Sequence, residues 1–134
     1  MRVVIDTNVL VSGAFFSGPP HKILLACATG NLQLVLSLDI LAEYRRAGLR
    51  FLCTHSDVDF ESLIGILLRN AVILDSPILR HPICRDPDDD KFIACALGGS
   101  ADVIISGDKD LLAVTNTIEV PIVTPRDFLN RYMK

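Results

Sequence analysis

Two hydrophobic patterns alternate along this chain. The first is a short, continuous apolar run: Val3-Val4-Ile5, Leu34-Val35-Leu36, Ala71-Val72-Ile73-Leu74, Val103-Ile104-Ile105 and Pro121-Ile122-Val123. Such runs, rich in β-branched residues, predict strands buried on both faces, as in parallel sheets. The last run is headed by Pro, which places it at a sheet edge. The second pattern is helical. Residues 19–29 predict a helix in which Pro20 suits the first turn, Ile23, Leu24, Cys27 and Ala28 share one face, and Gly30 closes the end. Ser37 predicts the cap of a helix running to about Ala47 and stopped at Gly48, with Ile40, Leu41 and Tyr44 inward and Glu43 beside them. Ser56 with Asp59 resembles a capping box. Phe60, Leu63, Ile64, Leu67 and Leu68 then repeat as the buried face of an amphipathic helix.

The remaining segments follow the same grammar. Residues 7–13 predict a short helix or turn closed by Gly13, and 15–20 a loop whose Phe15 and Phe16 read as core in preference to a contact surface. Residues 49–56 read as a loop, and 76–87 as a connection. Asp88 to Gly98 predicts a helix with Phe92, Ile93, Ala96 and Leu97 inward. A short helix follows from Ser106–Asp110 through Val114, and a last one starts at Thr124-Pro125. Strands alternating with helices imply an α/β fold, a parallel sheet covered on both faces.

The 134 residues suggest a single domain, 1–134, and half of them are apolar, enough for a core built without Trp. A net charge of −3 argues against a broad nucleic-acid surface, which is usually basic, but leaves room for a small contact through a few Arg and Lys. The four cysteines form no Cys-x-x-Cys pair, and His21, His55 and His81 show no ligand spacing with them. A reduced, cytoplasmic protein without zinc fits that usage. No apolar run reaches the roughly 18 residues of a membrane span, and the N-terminus reads as a strand rather than a signal peptide.

The acids change this picture. Asp6 ends the first strand, Glu43 lies on the helix after the second, and Asp86-Pro87-Asp88-Asp89-Asp90-Lys91 opens the helix before the fourth. Asp108 and Asp110 follow the fourth strand. Ligands in open α/β sheets bind beyond the carboxyl ends of the strands. If the first and fourth strands are neighbours, these acids converge there. Each has a plain structural reading as well. Asp6, Asp86 and Ser106-Gly107-Asp108 can be helix caps, and Glu43 can pair with Arg46. Four acids in five residues exceed what capping needs. Converging carboxylates repel, and a divalent cation relieves them. Mg²⁺ and Mn²⁺ take a few carboxylates together with a substrate phosphate, which suits phosphodiester hydrolysis.

Asp6-Thr7-Asn8, Glu43, Asp88-Asp89-Asp90-Lys91-Phe92-Ile93-Ala94 and Ser106-Gly107-Asp108-Lys109-Asp110-Leu111-Leu112 together resemble the motifs of PIN domains. Within that family they are most similar to the toxin branch of toxin–antitoxin systems, akin to VapC-type toxins. The likeness spans nearly the whole chain. It implies a three-layer α/β/α sandwich with strand order 3-2-1-4-5, and a ribonuclease dependent on Mg²⁺ or Mn²⁺. It implies Asp6, Asp90, Asp108 and Glu43 at the metal, Glu43 through water. Thr7 and Ser106 would hold metal water or phosphate, and Asn8 would orient Asp6. Asp90 is preferred to Asp88 and Asp89 because it stands four residues before Ala94, the family's Asp-x-x-Ile-Ala spacing. Asp108 is preferred to Asp110 because it lies nearer the strand end. Lys91, Lys109, Arg45, Arg46 and Arg85 are candidate phosphate contacts. RNA, an antitoxin protein and a second copy of the chain are the partners the resemblance implies.

Three other readings compete. A PIN-like scaffold could bind RNA or protein without cutting, although none of the acids is missing. A receiver-type signalling domain would need paired acids after the first strand and a Lys after the fifth, where Thr124-Pro125 stands. A haloacid-dehalogenase-type phosphatase would need an acid where Asn8 stands.

Overall fold

The computed structural model describes residues 1–55 and 57–133. Five parallel strands form one sheet, β1 (Arg2–Ile5), β2 (Gln33–Ser37), β3 (Val72–Leu74), β4 (Val103–Ile105) and β5 (Ile122–Val123), in the order β3-β2-β1-β4-β5. This is the expected α/β fold and strand order. Val3, Val4 and Ile5 have no exposed surface, because β1 is central and helices cover both faces. The edge strand β3 is the exception to the predicted burial. Its Ile73 is 46% exposed, since only one neighbour and one face shield it.

Seven helices of the described residues surround the sheet: α1 (Thr7–Phe15), α2 (Pro19–Ala28), α3 (Leu38–Leu52), α4 (Phe60–Leu68), α5 (Asp90–Gly98), α6 (Lys109–Leu112) and α7 (Pro125–Tyr132). A 3₁₀ turn, Pro87–Asp89, precedes α5. No helix among the described residues is long and apolar enough to cross a membrane.

Two glycines act differently from their predicted role as helix stops. Gly13 lies inside α1, where a Cβ would press on Leu24 and the Pro20 carbonyl of α2. Gly48 lies inside α3, which continues to Leu52 through much of the expected loop. A Cβ on Gly48 would overlap the Phe60 ring, so the missing side chain admits close contact between α3 and α4. Ser56, one half of the expected capping box, lies outside the described residues. The cap of α4 is Asp59, whose side chain accepts from the Ser62 amide at 3.1 Å.

Candidate active site

The register of the sheet assembles the site. Ile5 pairs with Ile105, and the Asp6 amide extends that ladder by donating to the Ile105 carbonyl at 3.0 Å. Asp6 and Ser106 therefore leave adjacent strands side by side. Ser106 Oγ donates to Asp6 Oδ2 at 2.6 Å and accepts from the Asp108 amide at 2.9 Å. One buried hydroxyl thus ties the two acid-bearing turns together. Asp108 in turn caps α6, accepting from the Asp110 amide at 2.8 Å. Beneath them, the buried Tyr44 hydroxyl of α3 donates to the Ile5 carbonyl at 2.5 Å. That bond anchors α3 under the strand end, one residue beyond Glu43.

Glu43 is held from two sides. Thr7 Oγ1 donates to its Oε2, and Lys91 Nζ lies 2.5 Å from its Oε1. Lys91 also reaches Asp88 at 3.2 Å. Burial works against the charge on Lys91, but Glu43 and Asp88 outweigh it and its pKa is raised. Lys91 is therefore committed to two carboxylates rather than free for phosphate.

A cleft of about 320 Å³ collects Asp6, Thr7, Asn8, Glu43, Arg46, Arg50, Asp88, Asp89, Phe92 and Asp108. Oxygens of Asp89, Asp108 and Asp110 lie within 4.8 Å of one another. The sequence reading favoured Asp90 for this position, and here the structure differs. The 3₁₀ turn aims Asp89 into the cluster. Asp90 turns to the other side of the helix start, where its carboxylate accepts from the Cys84 amide at 2.7 Å and the Ile83 amide at 3.3 Å. It lines a separate cavity with Asp39, Pro77 and Ala94. The local spacing to Ala94 could not reveal that the loop 76–86 needs an acceptor.

Electrostatics mark the cluster. The Asp89 carboxyl is raised from 3.8 to about 6, first by burial and then by Asp108, Asp86, Asp6 and Asp110. Burial also raises Asp6, against the opposing pull of Ser106 and the Asn8 amide, with Asp108 and Glu43 adding repulsion. The donors are all hard oxygens, crowded and partly desolvated. That set fits a divalent cation such as Mg²⁺ or Mn²⁺ better than a soft metal.

The other expected residues divide. Asn8 is exposed and lines the cleft, and it is its backbone amide, together with the Ser106 hydroxyl, rather than its side chain that supports the Asp6 carboxylate. Asp110 joins Asp108 in the cluster and faces Arg85 at 3.7 Å. Arg45 pairs with Glu61 at 3.2 Å, away from the cleft, and Lys109 is exposed on α6. Arg46 lines the cleft as expected of a phosphate contact. Arg50 does so too and was missed. Its spacing on α3, one helical turn beyond Arg46, was the available signal.

Comparison with known proteins identifies the family. MJ1680, an uncharacterized protein from Methanocaldococcus jannaschii, is 30% identical over 150 aligned positions, covering all of this chain and 93% of that protein. Residues 2–110 match the family model described as a PIN domain. PIN domains are in general metal-dependent nucleases, so nucleic acid and a divalent cation are what this fold brings to the acidic cleft. With the family model matching most of the chain and the sheet in the order expected of that fold, the protein belongs to the PIN domain family.

Proposed function

We propose that the chain, acting as one domain over 1–134, is an endoribonuclease dependent on Mg²⁺ or Mn²⁺. The observation that carries this reading is the meeting of Asp6, Glu43, Asp89 and Asp108 around one cleft at the carboxyl edge of the sheet. Asp6, Asp89 and Asp108 would hold the cation, with Asp110 beside them and Glu43 acting through water. When bound, the cation supplies Lewis-acid polarisation of a phosphoryl oxygen and a readily ionised water. The protein contributes position. Ser106 fixes Asp6 and the Asp108 turn, while Thr7 and Lys91 fix Glu43. Arg46 and Arg50 stand at the cleft for phosphate charge. Hydrolysis in this arrangement leaves a 5′-phosphate. Asp90 acts on the loop and not on the metal.

The resemblance of the motifs to VapC-type toxins supports a toxin role in a toxin–antitoxin pair, with a homodimer and an antitoxin partner, for a protein of the cytoplasm. The test is cleavage of structured and single-stranded RNAs with Mg²⁺ or Mn²⁺, against EDTA. Cutting should disappear with EDTA and in Asp6→Asn and Asp89→Asn, while Asp90→Asn retains it. Uptake of phosphate from a small phosphodonor, or full cutting in Asp6→Asn, would overturn the reading.

A further inference from the structure

Arg46 and Arg50 are exposed, line the acidic cleft, and pair with no carboxylate among the described residues. Cations left free beside so many acids remain available for an external anion. The next residue on α3, Phe51, begins an aromatic patch. Phe16, at the end of α1, lies edge-on to Phe51 at 6.1 Å and edge-on to His55 at 5.2 Å. Behind them Phe15 stacks against Phe51 at 5.4 Å and against buried Phe60 at 5.6 Å, which roots the patch in the core. Phe16, expected from the sequence to be core, is instead 46% exposed. The rise along α3 from Glu43 to Phe51 is about 12 Å.

We infer that Arg46, Arg50, Phe51, His55 and Phe16 form a track for an unpaired RNA strand leading out of the cleft, with the guanidinium groups on the flanking phosphates and a nucleobase stacked against Phe16 and His55. The inference rests on the nuclease reading and adds the surface along which the strand runs beyond the cleft. Guanidinium charge followed by aromatic surface is the combination that holds single strands, because every base offers a π-face and every linkage a phosphate. A duplex keeps its base faces stacked and cannot use the aromatic half of such a track. A second protein chain could cover Phe16, but it would give no reason for two unpaired arginines to join the patch to the acids.

The chain contains no tryptophan, so Phe16→Trp places a single reporter in the track. With Ca²⁺ present, a single-stranded oligoadenylate should quench that fluorescence, while an RNA duplex of equal length and an abasic strand should not. Leu97→Trp, exposed at the far end of α5, should respond to none of them. Phe16→Ala should weaken oligoadenylate binding by roughly five- to 150-fold, with affinity retained in Phe16→Tyr. Arg46→Ala and Arg50→Ala should each lower the salt dependence of binding by about one phosphate contact. Unchanged affinity in Phe16→Ala, in a protein that cuts RNA, overturns the track and leaves the nuclease standing. Phe16-dependent binding without cutting by the wild type sustains the track and removes the nuclease. Equal quenching by duplex and single strand overturns the track. So does a dimer that dissociates in Phe16→Ala while RNA affinity is unchanged, which would make the patch a contact between copies.

Discussion

Asp89→Asn should stabilise the metal-free protein while abolishing its cleavage of RNA. The Asp89 carboxyl titrates near 6 in the fold, raised from 3.8 by burial and by Asp108, Asp86, Asp6 and Asp110. The folded state therefore binds the proton more tightly than the unfolded one. Between those two values stability falls as pH rises, and above about 6 the full penalty is present. A shift of that size corresponds to about 3 kcal/mol, and because Asp89 is partly exposed, solvent screening brings the expected effect to ~1 kcal/mol. Asn keeps the size and removes the charge. Scanning calorimetry in EDTA at pH 7.5 should show the variant melting about 4 °C above wild type. At pH 3 the difference should nearly vanish, since wild-type Asp89 is then largely protonated in both the folded and the unfolded chain. Mn²⁺ should raise the melting temperature of wild type more than that of the variant. The opposing contribution is the helix dipole, which favours an acid in the first turn by a few tenths of a kcal/mol up to ~1 kcal/mol. A variant less stable than wild type at pH 7.5, or an offset equal at both pH values, would refute the reasoning and leave Asp89 as a helix-terminal charge.

Ser106→Ala removes a buried hydroxyl with two partners, and urea unfolding should show a loss of about 2 kcal/mol, since one lost bond is to a charged group. Cleavage should fall with it, and Ser106→Thr should restore part of both. Gly48→Ala forces a methyl into the Phe60 ring and should cost about 1–3 kcal/mol by the same measurement; a neutral result would mean α4 moves aside freely. Asp90→Ala deprives the Ile83 and Cys84 amides of their acceptor, so limited proteolysis should cut within residues 77–86 faster than in wild type. An unaltered cleavage pattern would show that the carboxylate does not hold that loop.

The strands were legible because a parallel sheet covered on both faces demands continuous apolar runs, and Val103-Ile104-Ile105 became β4 without a residue's change. Sheet order was legible only through the likeness of the motifs to PIN domains, because the acids by themselves converge only if β1 lies beside β4. What failed to show was rotation and reach. Whether Asp89 or Asp90 enters the cleft depends on a 3₁₀ turn and on which loop amides need an acceptor, both set by distant residues. Gly48 reads locally as a helix stop, and only the tertiary approach of Phe60 explains it as a contact. Ser106 was marked as a hydroxyl beside phosphate or water, but its bond to Asp6 spans two strands and has no local signature. Arg50 had its signature in helical spacing, one turn beyond a residue already chosen.

The bond between Ser106 and Asp6 joins residues a hundred positions apart, and β1 sits between β2, which follows it closely, and β4, which comes much later in the chain. Such long-range pairing slows folding, because loop closure comes before the contacts that reward it. It also orders events on the ribosome. Asp6 is made a hundred residues before Ser106, whose strand completes its surroundings. Until β4 is released, β1 lacks a neighbour on one side and the acids have no common cleft. The acidic cleft therefore exists only once β4 has joined β1, so its assembly depends on the completed sheet and not on any one of its acids.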